Sequence, residues 1–240
     1  MTTTIRVTDG VDVYESECVE YVRHCGNDMA IVDAARVSFD KGHEQYDDDA
    51  NEKLIEYLAS HNHWSPFAHC SVTFRVHAPI FLARQFIKHR AGFEWNEISR
   101  RYVDSSPLIW VPESWRKRPS SVKQGSTTDG AVPVEGQQLH RYKLWAETCL
   151  SMYRADCDLA GVCPEQARAK LPLATLTSWI WTGSVAAWAR MVELRGDSQS
   201  QLECRPYTTA VEHFMGSLFP KTWSALSGKN LHVRTTDPTR

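Results

Sequence analysis

The segment from Pro79 to Tyr102, PIFLARQFIKHRAGFEWNEISRRY, constrains the fold more than any other part of this chain. Just before it, residues 70–77 alternate. Val72, Phe74 and Val76 fall on one side and Ser71, Thr73 and Arg75 on the other, the period of a strand with one buried face. Pro79 suits the first turn of a helix, where its missing N–H would have no partner anyway. In that helix Gln85 and His89 are four residues apart, as are Arg84 and Lys88, so each pair shares a face. Gly92 is placed to end the helix. The segment concentrates basic side chains (Arg84, Lys88, Arg90, Arg100 and Arg101) among Gln85, His89, Asn96, Glu97 and Ser99. A short apolar helix leading into a loop of this chemistry suggests a pocket for a phosphate and a polar ring.

That density is local, because the whole chain carries a formal charge of only −2. A near-neutral chain argues against broad nucleic-acid binding, which depends on many phosphate contacts. It leaves room for one small anion site. The 240 residues are enough for one large domain with a full core. There is no long apolar run, so no membrane span is expected. The seven cysteines form no CxxC pair, and the spacing Cys149, Cys157, Cys163 matches no zinc pattern. With no signal peptide either, the expectation is a cytoplasmic protein with reduced thiols. His61, His63 and His69 lie close in sequence, but no matching carboxylate or cysteine set accompanies them, so no metal site is expected.

Residues 1–26 read as an edge strand and a short connector, and 26–42 as a turn followed by a helical pattern at Ile31, Ala34 and Ala35. Asp47 to Asp49 open a helix with apolar positions Leu54, Ile55 and Leu58, ending near His61. Residues 116–136, rich in Ser, Thr, Gly and Pro, are expected to be a mobile loop. Leu139, Tyr142, Ala146, Cys149 and Tyr153 mark a long amphipathic helix. A short helix follows near Glu165 to Lys170. Trp181, Val185, Trp188 and Val192 mark another, and a last one spans about 200–218. Helices outnumber strands and follow a modest sheet near the N-terminus, so the class is α+β. The expected division is one catalytic domain over 1–226 and a polar tail over 227–240.

The usual nucleotide-holding devices are absent: no GxGxxG, no P-loop, no HExxH and no GxSxG. Four ordered blocks nevertheless resemble the flavin-dependent thymidylate synthases. They are GNDMAIVDAARVSFDKG; LIEYLASHNHWSPFAH, with its H-x-H-x-[ST]-P-F-x-H pattern; APIFLARQFIKHR with NEISRRY, similar to the signature RHR, seven residues, then Ser; and GVCPEQARAKLPL with WTGSVAAWARMVELRGDSQSQLE. The resemblance implies a twisted, mainly antiparallel sheet with a helical bundle. It implies reductive methylation of dUMP, with methylenetetrahydrofolate giving the carbon, FAD carrying the hydride and NADPH re-reducing the flavin. It also implies a homotetramer whose active sites lie at subunit interfaces, acting on small molecules.

Carried over by position, the resemblance implies dUMP binding by Gln85, Lys88, Glu97, Ser99, Arg100, Arg101, Arg168 and Arg195. It implies FAD binding by Ser38, Lys88, His89, Arg90, Glu97, Ser184, Arg190 and Gln199. Arg195 and His63 are the catalytic candidates, Arg195 polarising the uracil ring and His63 lying near flavin and folate. The residue types suit the chemistry. A guanidinium fork pairs oxygens two at a time and stabilises charge building on a ring oxygen. Read without the resemblance, Arg84 and Lys88 are equally a solvated helix face and Ser99 a helix cap. Arg168 and Arg195 are then cations favoured at helix C-termini. Cys204 has no context resembling the nucleophile of the classical thymidylate synthases.

The match has departures. Lys88 stands at the first arginine of RHR, keeping charge but losing the planar fork. Eight residues, not seven, separate Arg90 from Ser99, which predicts a bulge near Phe93 to Trp95. Ser184, Ala186 and Gln199 replace residues usual on the flavin side. These departures leave two alternatives to thymidylate synthesis: 5-hydroxymethylation of a deoxypyrimidine monophosphate, and a flavin-free nucleotide-binding regulator.

Overall fold

The computed structural model describes residues 3–8, 10–15, 18–103, 105–120 and 125–227. Three strands come first, β1 (Thr3–Thr8), β2 (Gly10–Glu15) and β3 (Val19–Cys25), then helices α1 (Asp28–Arg36), α2 (Asp48–Ser60) and α3 (Trp64–Phe67). Strand β4 (Ser71–Pro79) runs into α4 (Ile80–Phe86), followed by β5 (Phe93–Glu97), β6 (Ile109–Trp110), β7 (Ser114–Lys117) and β8 (Thr127–Pro133). The rest is α5 (Gly136–Arg154), α6 (Pro164–Ala167), β9 (Leu176–Ser184), α7 (Val185–Gly196), α8 (Arg205–Leu218) and α9 (Pro220–Ser227). The tail expected over 227–240 lies outside the described residues from 228 onward.

The main sheet is antiparallel in the order β3-β4-β9-β5. One of its two inner strands, β9, is absent from the sequence-based reading. Trp181, Val185, Trp188 and Val192 have helical spacing, yet Trp181 belongs to β9 and the other three to α7. The two elements meet at Ser184, whose hydroxyl accepts from Ala187 N at 3.2 Å and caps α7. The strand-to-helix turn brings Trp181 and Trp188 together on the core side, with ring centroids 4.8 Å apart. Their spacing therefore imitates one helix. Within β9 the period is two: Thr177, Trp179, Trp181 and Gly183 are buried while their neighbours are partly exposed.

The predicted bulge at 93–95 is also corrected. β5 pairs with β9 without interruption, from Phe93 opposite Gly183 to Glu97 opposite Trp179. Packing explains the regularity. Trp95 stacks on Trp179 at 4.1 Å, and Phe93 lies 4.8 Å from both Trp181 and Trp188. A one-residue slip would turn both aromatic rings to solvent. The helix expected to end at Gly92 ends at Phe86. Gly92, at φ 78°, instead forms the turn that delivers the chain to β5.

The 116–136 stretch, expected to be a loop, contributes to a strand pair. Ser114 faces Pro133, Trp115 faces Val132 and Lys117 faces Thr127. Residues 121–124 at its tip lie outside the described set. Turn-forming residues dominate the composition, and they conceal the β-branched Thr127 and Val132.

Helices α1, α2, α7, α8 and α9 build the core with the sheet, around the fully buried Ile31, Ile55, Phe67, Phe74, Phe86, Trp188 and Phe219. A second small cluster of Ile109, Val111, Val134, Ala146 and Leu150 sits under α5. Asp28 ties the ends of the molecule together. Its buried carboxylate accepts from Lys221 N at 3.1 Å and Thr222 N at 2.9 Å, capping α9 from α1.

Gly183 is required by the close approach of Phe93. A Cβ there would lie 2.3 Å from Phe93 Cε1 and 2.9 Å from Trp188 Nε1. Gly183→Ala is expected to destabilise the protein by about 1–3 kcal/mol through overpacking. Urea denaturation at fixed protein concentration measures this as a lower midpoint, and an unchanged midpoint contradicts it.

Candidate active site

Three elements converge on one arginine. The C-terminal turn of α4 carries Gln85, the turn after it carries Lys88, His89 and Arg90, and the last turn of α7 carries Arg195. Arg195 Nε donates to His89 Nε2 at 2.9 Å, and Arg195 Nη2 donates to the Gln85 carbonyl at 3.3 Å. Receiving that bond requires His89 Nε2 to be unprotonated. The environment favours this form. Burial first, then the charges of Arg195 and Arg190, push the His89 pKa from 6.5 down to about 4. The Gln85 side chain is engaged elsewhere: its amide nitrogen donates to Gln201 Oε1, and its oxygen accepts from Cys204 Sγ at 3.8 Å. Burial pushes the Cys204 thiol up to about 11, so it stays protonated at neutral pH.

Arg190, one turn earlier on α7, borders the same region. It donates to the Ala91 carbonyl at 3.0 Å and lies 5.7 Å over the Trp64 ring. Lys88 and Arg90 are exposed. Neither forms an ion pair among the described residues. Ser184 contributes its hydroxyl to the α7 cap. Gln199 is exposed in the turn after α7, and its backbone N–H donates to Asp197 Oδ1 at 2.6 Å. Ser38 is exposed in a 3-10 turn, Val37–Phe39, beside the exposed Phe39. His63, also exposed, precedes α3 and meets Tyr57 edge-on at 5.8 Å. Among the described residues no group of His, Cys, Asp or Glu is arranged to hold a metal ion.

The remaining candidates face other partners. Glu97 accepts from Thr177 Oγ1 at 2.6 Å at the end of β5. The Ser99 hydroxyl accepts from Arg101 N at 3.4 Å, so it serves its own turn as a cap would. Arg100 turns inward, donating to the Ser105 carbonyl beside Tyr153, and its burial lowers its pKa. Arg101 is exposed, with its guanidinium 5.0 Å over Tyr102. Arg168 donates to the Glu165 carbonyl at 3.1 Å and is otherwise exposed. Arg100 and the Arg168–Lys170 turn both border the C-terminal end of α5, the latter through a Lys170–Asp156 ion pair at 2.5 Å. Arg195, His89, Gln85 and Arg190 thus form one group. None of Ser99, Arg101 and Arg168 bonds to that group among the described residues.

Sequence reasoning missed Gln201 and Trp64, whose sole signal was membership of blocks whose other residues attracted attention, and it considered Cys204 as a nucleophile but not as a partner of Gln85. It also missed a cavity of about 840 Å³ between β7 and α8, lined in part by Trp110, Arg116, Glu203 and Arg205. An Arg116–Glu203 ion pair at 2.6 Å lies at this cavity, and none of the sequence-selected site residues lines it.

Comparison with known proteins fits this arrangement into a family. A family model described as thymidylate synthase complementing protein matches residues 20–221. A flavin-dependent thymidylate synthase of Pseudothermotoga lettingae is 31% identical over 215 residues, covering 90% of this chain and 92% of that protein. One from Thermosipho africanus is 35% identical over 205 residues, covering 83% and 86%. The chain belongs to the flavin-dependent thymidylate synthase family. Among solved structures, a UMP/dUMP methylase from Streptomyces cacaoi, PolB, bound with 5-Br dUMP, is similar at a TM-score of 0.75 and 28% identity. That match covers 87% of this chain and 94% of that one. The same methylase bound with 5-Br UMP gives 0.72.

Within a flavin-dependent thymidylate synthase, two departures now have a local account. The longer Arg90-to-Ser99 spacing leaves β5 regular, and Ser184 has a structural use as the α7 cap. His89 generates a prediction. The unfolded chain binds its proton near pH 6.5, while the folded chain resists until about 4. The unfolded state therefore holds more protons in that window, and stability falls as pH drops through it. Thermal unfolding followed between these pH values is expected to show a steeper acid loss for the native protein than for His89→Phe. Identical slopes contradict the assignment.

Proposed function

We propose that this chain methylates dUMP at uracil C5, taking the carbon from methylenetetrahydrofolate, with FAD as the flavin and NADPH as the reductant. The observation that carries the reading is the tethered guanidinium of Arg195. With Nε bound to His89 and one Nη2 hydrogen on Gln85, Nη1 and the other Nη2 hydrogen remain to donate to a ligand. A fixed cation facing a pyrimidine stabilises charge on the ring oxygens and so makes C5 nucleophilic. C5 then forms a bond to the methylene carbon and loses its proton, while the bonds from that carbon to the folate nitrogens break and leave tetrahydrofolate; hydride then completes the methyl group.

The donor set fits the flavin dinucleotide. Lys88 and Arg90 are exposed and form no ion pair among the described residues, suited to a diphosphate, and Arg190 bonds to the neighbouring Ala91 carbonyl next to Trp64. When bound, the flavin supplies the hydride that completes the methyl group. Arg190 and His89 border that side of the pocket. His63 and Ser38 stand on exposed turns at its α1–α3 edge. Ser99, Arg101 and Arg168 are suited to the nucleotide phosphate. In the homotetramer that the family resemblance implies, a neighbouring protomer would bring them to the Arg195 group. The seven cysteines form no disulfide among the described residues, which suits a reducing cytoplasm, and no helix among the described residues is long and apolar enough to cross a membrane.

Incubating the purified protein with FAD, dUMP, methylenetetrahydrofolate and NADPH, then weighing the nucleotide, tests the reading. A product heavier by one CH2 is expected. Unchanged nucleotide in the flavin-loaded protein, or a gain of CH2O, contradicts it. UMP belongs in the same assay, because the similar Streptomyces cacaoi protein is a methylase of UMP and dUMP. Arg195→Lys keeps the charge but loses the fork. It is expected to lower kcat by about 10²–10³-fold.

A further inference from the structure

We infer that His89 is the positioning residue for Arg195: its Nε2 accepts the arginine's Nε–H and fixes the plane of the guanidinium. This rests on the proposed role of Arg195 at the pyrimidine.

Arg195 projects from the last turn of a helix on a long flexible side chain. A planar group held by one bond can still swing about it, whereas two bonds in different directions fix its plane. Gln85 supplies the second through its carbonyl at the C-terminal end of α4, which also accepts from Lys88 N at 3.3 Å and is held in place by that bond. Both anchors come from the same short stretch, so a shift of α4 would move them together. His89 is itself held: its backbone N–H donates to the Phe86 carbonyl at 3.0 Å, and its ring meets Phe93 edge-on at 6.5 Å. Phe93 is in turn fixed by Trp181, Trp188 and the missing side chain at Gly183.

The charged groups facing the His89 ring are Arg195 and Arg190, both from α7, and no carboxylate among the described residues counters them. A proton on Nε2 would set a donor against a donor and a cation against a cation. The low pKa agrees with this geometry. With Nε2 occupied, Nδ1–H and the ring face are what His89 has left to offer a cofactor, so its effect on the pyrimidine passes through Arg195.

The test combines spectroscopy and kinetics on the flavin-loaded enzyme. 15N NMR of the imidazole at pH 7 is expected to show a neutral ring protonated on Nδ1. An imidazolium, or a proton on Nε2, overturns the inference. This result does not depend on whether the protein methylates dUMP, so the two readings fail separately. In turnover, His89→Phe is expected to lower kcat by about 10–100-fold, with a smaller change in dUMP affinity. His89→Gln, which restores a neutral acceptor, is expected to recover most of that loss. In an Arg195→Lys background, His89→Phe should add little, because the group it positions is gone. Full additivity of the two substitutions, or a kcat for His89→Phe equal to that of the native enzyme, overturns the inference.

Discussion

The pairing of β5 with β9, tightened by stacked aromatics, is the constraint on which the rest of this structure depends. Trp95 lies on Trp179, and Phe93 fits against Trp181 and Trp188 over the bare backbone of Gly183. Large rings buried in such pairs contribute their area and about 0.5–1.5 kcal/mol beyond it. Because β9 leads directly into α7, this contact fixes where α7 begins and hence where Arg195 ends. Because β5 follows the 87–92 turn, the same contact fixes His89. Donor and acceptor are 106 residues apart in sequence and are brought to 2.9 Å by one strand pair.

The electrostatics follow from that placement. The chain is close to neutral overall, but the region around Arg195 gathers Arg190, Lys88 and Arg90, none of which pairs with a carboxylate among the described residues. Burial first, and then the charges of Arg195 and Arg190, penalise a proton on His89, so its ring stays neutral. A neutral acceptor between cations is a stable use of that position. The cations left facing outward then have anions as their natural counterparts, in keeping with a site for nucleotides.

Much of this was legible in the sequence, and the exceptions share a cause. The β4–α4 run was readable because alternation, proline and helical spacing succeed one another without overlap. Asp47 was legible as a cap and accepts from Ala50 N as one. β9 was not legible: it abuts α7, and Trp181 and Trp188 face the same core from two kinds of element. The β7–β8 pair was hidden by turn-forming composition, and α9 by its dependence on Asp28, a cap supplied from the far end of the chain. At the site, residue types were readable but partnerships were not. Nothing in the local sequence couples Gln85 to Gln201 and Cys204, or His89 to Arg195.

Hydrogen bonds join Arg195, His89 and Gln85, whereas Ser99, Arg101 and Arg168 bond within their own turns. In the proposed homotetramer one nucleotide would draw on both sets across a subunit interface. A crystal structure of the flavin-loaded enzyme with 5-bromo-dUMP tests this most directly. The account predicts the uracil ring against Arg195 of one protomer, with that arginine still bonded to His89, and the phosphate held by Ser99 and Arg101 of a neighbour. A nucleotide bound wholly within one protomer, or a ring out of reach of Arg195, would contradict it.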